Sequence, residues 1–100
     1  MPEVLPEPDA ASLELPRVLQ ALADPVRLSI VRLAARGEPL PCNAFFEKIP
    51  KSTLSHHWKV LRESGLIRQT KDGTSRLNAL RKADLDARFP GLLDAVLAAD

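Results

Sequence analysis

The most informative segment of the chain covers residues 51–65 and reads KSTLSHHWKVLRESG. Its apolar side chains recur at the spacing of an α-helix and predict one buried stripe, formed by Leu54, Trp58 and Leu61. The opposite side of the same helix carries short polar and basic side chains: Ser52, Ser55, His56 and Lys59. Gly65 ends the pattern, as glycine commonly does after a helix. The segment therefore predicts a helix with one face in the core and one polar face in solvent.

Three helices are predicted before this segment. An apolar stripe at helical spacing marks the first, and it consists of Leu15, Val18, Leu19 and Leu22. The second begins at Asp24-Pro25, with Asp24 as its N-cap, and Gly37 closes it in the left-handed C′ position. Residues 38–41 form a connector. A short third helix is expected from about Cys42 to Lys48, with apolar side chains packing inward at Phe45, Phe46 and Ile49.

After Gly65 the spacing at which apolar side chains recur changes from the 3.6 residues of an α-helix to the 2 residues of a β-strand. Leu66 to Lys71 is predicted as a strand, Asp72-Gly73 as a tight turn, and Thr74 to Leu80 as the returning strand. Lys82 to Phe89 is expected to form a turn or short helix, and an apolar final helix follows over Pro90 to Ala99.

This order predicts a mainly α fold with a small β-hairpin wing, a winged helix-turn-helix of the order α-α-α-α-β-β-α. One hundred residues are enough for a single core, and we expect one DNA-binding and dimerisation domain over residues 12–100. Residues 1–11 are rich in proline and glutamate, and their composition predicts a flexible N-terminal arm.

Charge is unevenly distributed along the chain. The net charge is only +1. Residues 51–82 nevertheless carry a surplus of six positive charges, while the segments before and after them are both acidic. A basic block in this position predicts one surface that binds a polyanion such as double-stranded DNA.

Three stretches resemble the ArsR-type winged-helix repressors of bacteria: ALADPVRLSIVRLAARG (21–37), KSTLSHHWKVLRESGLI (51–67) and QTKDGTSRLNAL (69–80). The resemblance covers roughly Leu19 to Leu80. It implies a homodimer formed through the first and last helices, with the fourth helix in the DNA major groove and the wing along the flanking backbone. It also implies a transcriptional repressor that an inducer releases from DNA; the sequence does not identify the inducer.

Nine residues are candidates for the DNA-binding surface: Lys51, Ser52, Thr53, Ser55, His56, Lys59, Arg68, Lys71 and Arg76. Hydroxyls near a helix start can bond phosphate, and Lys59 can reach a phosphate or a guanine edge. Simpler interpretations stay open for several: Ser52 or Thr53 as a helix cap, His56 as a solvated imidazole, and the wing cations as ordinary surface charges.

Other polar residues of this region receive structural roles. His57 lies nearer the core stripe and is expected to orient the helix, and Trp58 is expected to pack in the core where the family usually has leucine. Arg27 matches a family arginine and is expected to form a structural ion pair. Arg62 is expected to pair with Glu63 or across the dimer.

Metal sensing is not expected. Related repressors bind metals through paired cysteines in the third helix or through Asp and His on the last helix, whereas this chain has Cys42 alone and Asp94 without a histidine. We therefore predict no metal site and no cofactor. Cys42 is interpreted as a small buried residue, with a redox or electrophile sensor as the less favoured alternative.

Several classes of protein are excluded or disfavoured. No apolar run approaches the length of a membrane span, and a single cysteine indicates a cytoplasmic protein rather than a disulfide-bonded secreted one. No nucleophile with a matching base is recognisable, so an enzyme is not expected. The alternative function is a winged-helix protein-interaction module without sequence-specific DNA binding, which the polar helix face disfavours.

Overall fold

The computed structural model describes residues 2–43 and 48–99. Within these ranges the helices are α1 (Leu15–Leu22), α2 (Pro25–Ala34), α3 (Lys51–Ser64), α4 (Lys82–Arg88) and α5 (Leu92–Ala98), with one 3-10 turn at Ala10–Ser12. The strands are β1 (Glu3–Val4), β2 (Leu40–Pro41), β3 (Ile67–Asp72) and β4 (Ser75–Leu80). The predicted third helix falls largely on residues 44–47, which lie outside the described residues.

The start of α2 is confirmed in detail. Asp24 has extended backbone angles, and its Oδ1 accepts hydrogen bonds from the backbone N–H groups of Val26 (2.8 Å) and Arg27 (3.1 Å). These bonds satisfy donors that have no partner within the helix, which is why Asp24-Pro25 is so strong a start signal. The helix ends at Ala34, so Gly37 follows the cap residue Ala35 by two positions rather than one.

The core is built around α3. Among the described residues, fourteen apolar side chains are buried together, and they include the three predicted stripe residues of α3: Leu54, Trp58 and Leu61. Gly65 ends α3 with φ +89°. Leu13, which is itself buried, packs so closely over Gly65 that a Cβ built there would lie 2.1 Å from Leu13 Cδ2. The end of α3 is therefore held under the segment that precedes α1.

The sheet is larger than the predicted hairpin. Its strand order is β1-β3-β4-β2, with all neighbours antiparallel. The hairpin β3–β4 turns through Gly73 and Thr74, one residue later than predicted, and the flanking two-residue strands β1 and β2 pair with its outer edges. The predicted connector at residues 38–41 thus supplies an edge strand. The expected mainly α fold with a β-hairpin wing is confirmed, with these two additions.

The N-terminal segment also differs from the flexible arm expected from composition. Glu3 and Val4 pair with Lys71 and Thr70 of the wing, and the backbone N–H of Leu5 donates to the carbonyl of Gln69 at 2.9 Å. A segment rich in proline can still form an edge strand, because the N–H groups that proline lacks are not needed on the solvent side.

Two short helices follow the wing. For the first the sequence left a choice between a turn and a helix, and the second lies within the predicted final helix over Pro90 to Ala99. Helix α4 buries Leu85 and α5 buries Leu93, while the other large apolar residues of α5 are half-buried: Leu92, Val96 and Leu97. Among the described residues, no helix is both long and apolar enough to cross a membrane.

Candidate nucleic-acid interface

The polar face of α3 lies open to solvent. All six candidate side chains on this helix are exposed: Lys51, Ser52, Thr53, Ser55, His56 and Lys59. The residue that caps the helix is Pro50, whose side chain makes no capping hydrogen bond. The alternative role of Ser52 or Thr53 as the N-cap is therefore wrong. Their hydroxyls stand at a helix N-terminus, where the peptide dipoles favour an anion.

His57 is turned away from this face, as predicted. It is only 8% exposed, and its Nδ1 accepts a hydrogen bond of 3.2 Å from Nη1 of Arg27. Burial lowers the pKa of His57, and the nearby charge of Asp24 opposes that shift. A neutral imidazole is the form that can accept this bond from a guanidinium.

Within residues 2–43 and 48–99 Arg27 has no carboxylate partner, so the expected ion pair is not found in this part of the chain. The Nε of Arg27 donates to the carbonyl of Ala21 at 2.8 Å and its Nη2 donates to the carbonyl of Gln20 at 3.3 Å, which lie in the last turn of α1. Together with the bond to His57, these contacts tie α1, α2 and α3 to one side chain. Arg27 thus fixes the orientation of α3 through backbone carbonyls rather than through a carboxylate.

The wing presents two cations on the side that faces α3. Lys71 and Arg76 are direct cross-strand partners, and Arg76 lines one cleft with Lys51 and Ser55 of α3. Strand residues two apart share a face. The buried pair Gln69 and Asn78 therefore shows that this face of the hairpin looks toward the helix. The structure thus brings the beginning of α3 and the wing cations to one continuous surface.

Arg68 does not join this surface. It is one residue from Gln69 on β3 and so projects from the opposite face of the sheet. Its Nε lies 2.7 Å from Oε1 of Glu7, and its Nη2 lies 3.8 Å from Oδ2 of Asp84. The hydrogen bond with Glu7 raises the pKa of Arg68. The expectation that Arg68, Lys71 and Arg76 lie together beside α3 is therefore wrong for Arg68.

Arg62 does not pair with Glu63, and the alternative pairing across the dimer stays a prediction. The Nη1 of Arg62 donates to the backbone carbonyl of Pro6 at 2.7 Å, so it binds the N-terminal segment rather than Glu63. The docking of residues 3–8 is the main feature that the sequence analysis missed. Alternating Glu and Pro residues before the first helix gave no signal for it, because its partners lie about sixty residues further along the chain.

Cys42 is half-buried, between the wing and α3. Its Sγ accepts hydrogen bonds from the amide groups of Asn78 (3.3 Å) and Gln69 (3.5 Å), and its carbonyl accepts one of 3.0 Å from the Trp58 indole. Trp58 is buried, as predicted, and this bond satisfies its only polar group. The redox alternative for Cys42 stays a prediction.

Within residues 2–43 and 48–99, no three His, Cys, Asp or Glu side chains lie close enough to hold a metal ion. His56 and His57 have ring centroids 6.1 Å apart and point to different surroundings, one to solvent and one to Arg27.

Comparison with known proteins agrees with this geometry. A family model described as a helix-turn-helix domain matches residues 22–70. The HTH-type transcriptional regulator YceK of Bacillus subtilis is 37% identical over 83 residues, which cover 80% of this chain and 83% of that protein. An arsenical resistance operon repressor of Staphylococcus xylosus is 35% identical, covering 73% of this chain and 71% of the repressor.

Solved structures give the same result. The crystal structure of an ArsR family transcriptional regulator matches with a TM-score of 0.66 and 30% identity, covering 84% of this chain and 82% of the other. The NMR structure of the cadmium sensor CMTR from Mycobacterium tuberculosis matches with a TM-score of 0.58 and 32% identity, covering 87% and 91%. This chain belongs to the ArsR family of helix-turn-helix transcriptional regulators, which bind DNA and are not enzymes.

Proposed function

We propose that this protein is a homodimeric transcriptional repressor that reads a pseudo-palindromic operator through the DNA major groove. The observation that carries the proposal is the surface shared by α3 and the wing. Ser55, at the exposed side of α3, and Arg76, on the wing, line the same cleft. A helix that offers short polar side chains beside a cationic hairpin matches the two surfaces of a duplex, the base edges and the phosphates.

The side chains divide by chemistry. Ser55 and His56 are the candidates for contacts with base edges, because they are short, polar and exposed in the first two turns of α3. The other candidates are assigned to the phosphate backbone: Lys51, Ser52, Thr53, Lys59, Lys71 and Arg76. Arg68 is left out of this set, because its guanidinium is bound to Glu7 on the other face of the sheet.

Apolar exposure supports the homodimer. Leu15 and Leu19 of α1 are 41% and 46% exposed, on a helix whose other apolar residues are buried. The last helix adds half-buried leucine and valine side chains. We assign α1 and α5 to the dimer interface. Two copies of α3 then enter successive major grooves about 34 Å apart, which is why the operator is expected to be pseudo-palindromic.

The test begins with the purified protein and fragmented genomic DNA. Bound fragments are recovered at low and moderate salt, sequenced, and used in gel shifts against unrelated DNA of the same length. The proposal expects a palindromic motif among the fragments and affinity that falls steeply with salt. A reporter gene placed behind the best fragment should be expressed less when the protein is present in the bacterial cytoplasm.

Each part of the proposal can fail separately. Equal binding to all fragments would contradict operator recognition. Absence of DNA binding at low salt would favour the protein-interaction module instead. Specific binding with increased reporter expression would contradict repression while leaving operator recognition in place.

A further inference from the structure

Residues 3–8 are attached to the wing, to α3 and to the residue that follows β4. Strand β1 pairs with β3 at Glu3 and Val4, and the N–H of Leu5 donates to Gln69. The carbonyls of the next residues accept arginine hydrogen bonds, at 2.7 Å from Arg62 to Pro6 and at 2.8 Å from Arg81 to Pro8. Five of the six residues of this segment, all except Glu7, are thus bound through their backbone to α3, to β3 or to the residue after β4.

Glu7 is the charged centre of this attachment. Its Oε1 lies 2.7 Å from Arg68 Nε on β3, and its Oε2 lies 2.8 Å from Arg81 Nη1 just after β4. Asp84 lies 3.0 Å from Arg81 Nε and completes a cluster of two carboxylates and two guanidinium groups. The Arg81 side chain is 3% exposed, and a buried charge of this kind is stable only while its partners remain in place.

The attachment lies close to the DNA-facing cations. Strand β1 pairs with β3 up to Lys71, and Lys71 is the cross-strand partner of Arg76. The other edge of the hairpin is held by β2 at Leu77 and Asn78. A two-stranded hairpin alone is only marginally ordered in water, whereas additional strands hold it in one position. Lys71 and Arg76 therefore lie at the end of the hairpin, where the pairing with β1 on one edge and β2 on the other stops.

We propose that residues 3–8 are a latch that positions the wing for DNA, with Glu7 and Arg68 as positioning residues that act through Lys71 and Arg76. This inference rests on the proposed DNA-binding function. The latch holds the hairpin at the angle at which its cations reach the backbone beside the groove occupied by α3. A wing that is already ordered in the free protein loses less conformational entropy when the protein binds DNA, and the affinity for DNA is higher for that reason.

Charge substitutions distinguish the latch from direct phosphate binding by Arg68, because the two models predict opposite signs. If Arg68 bound phosphate, Glu7→Gln would release it and strengthen DNA binding. If the latch is correct, Glu7→Gln and Arg68→Gln both weaken binding, by about threefold to tenfold, and the double variant is no weaker than either single one. Asp9→Asn is the matched control, since Asp9 is an exposed carboxylate that directly follows residues 3–8 and lies outside the cluster.

The experiment measures affinity by fluorescence anisotropy on the operator fragment selected with the unaltered protein. Specific binding by that protein establishes the proposed function first, so a result on the variants bears only on the latch. Two duplexes are compared, one ending at the half-sites and one about five base pairs longer on each side. The loss of affinity caused by Glu7→Gln should be confined to the longer duplex, because only that duplex reaches the wing.

Hydrogen exchange provides a readout independent of DNA. The amides of β3 and β4 should exchange faster in Glu7→Gln, while those of α3 should not. Leu5→Pro is a second variant, because it removes the N–H that donates to Gln69 and leaves every charge in place. The latch is refuted if Glu7→Gln binds the longer duplex as tightly as the unaltered protein, or if its loss is equal on both duplexes.

Discussion

Arg27 of α2 and His57 of α3 are in direct contact, with Nη1 of the arginine 3.2 Å from Nδ1 of the histidine. The same guanidinium binds two carbonyls at the end of α1. The bond exists only while the imidazole is neutral, because a protonated ring has no acceptor and would face a second cation. The orientation of α3 is therefore coupled to the protonation of a buried side chain.

Acidification is expected to destabilise the protein through His57. The pKa of His57 in the folded state is below its ordinary value of 6.5, chiefly because of burial. Below pH 6.5 the unfolded chain then binds more protons than the folded protein. The contribution of His57 to the free energy of unfolding is therefore fully present above pH 6.5 and is lost as the pH falls through the pKa of the folded state. Denaturant unfolding across this window should show a smaller pH dependence in His57→Gln than in the unaltered protein. His56→Gln, at an exposed position, should keep the full dependence; equal curves for both variants would contradict the assignment.

Gly65→Ala is expected to be more destabilising than Gly73→Ala. Both glycines have positive φ, at +89° and +63°, so both substitutions introduce left-handed backbone strain of about 1 kcal/mol. Only at Gly65 does the new Cβ also collide with Leu13, whereas at Gly73 no atom lies within 4 Å. Overpacking adds about 1–3 kcal/mol, measurable as the difference in the free energy of unfolding. Equal losses would show that Leu13 moves aside freely.

Leu19→Asp is expected to dissociate the homodimer. A charge on the exposed apolar side of α1 would be buried without a partner in the proposed interface. Sedimentation at a concentration where the unaltered protein is dimeric should give a monomer, with the helix content retained. Leu77→Asp is the control, because Leu77 is 45% exposed, similar to Leu19 at 46%, but lies on the wing. Dissociation by both variants, or by neither, would contradict an interface through α1.

Removing side chains that contact the DNA phosphates should weaken the binding of the protein to every DNA sequence. Lys59→Ala and Arg76→Ala are each expected to lower affinity uniformly across operator variants and to reduce the salt slope by about 1. Affinities measured over a salt series on operator and unrelated DNA provide the test. An unchanged salt slope would remove either residue from the phosphate contacts.

Changes at Ser55 and His56 should alter sequence preference instead. Ser55→Ala and His56→Ala are expected to reduce discrimination at particular base pairs by about 1–3 kcal/mol while leaving non-specific binding nearly unchanged. A competition series over single-base operator variants measures this. If both variants weaken all sites by the same factor, the assignment of base contacts to these two residues is wrong.

Local patterns predicted the helices well because the relevant signals are close in sequence. The Asp24 cap, the stripe of Leu54, Trp58 and Leu61, and Gly65 each act within one or two turns of their own helix. The burial of His57 also followed from its angle relative to the stripe. The turn of the wing was displaced by one residue, since both Asp72-Gly73 and Gly73-Thr74 offer a glycine for a left-handed turn.

The sequence by itself determined the helix-turn-helix, the wing and the exposed polar face of α3, because hydrophobic periodicity and capping depend on neighbours along the chain. Only the tertiary structure decided that Arg68 belongs with Glu7 rather than with Arg76, and that residues 3–4 form an edge strand. These pairings join residues about sixty positions apart. The sequence around a charged side chain does not indicate its ion-pair partner, because ion pairing depends on where the folded backbone places both groups.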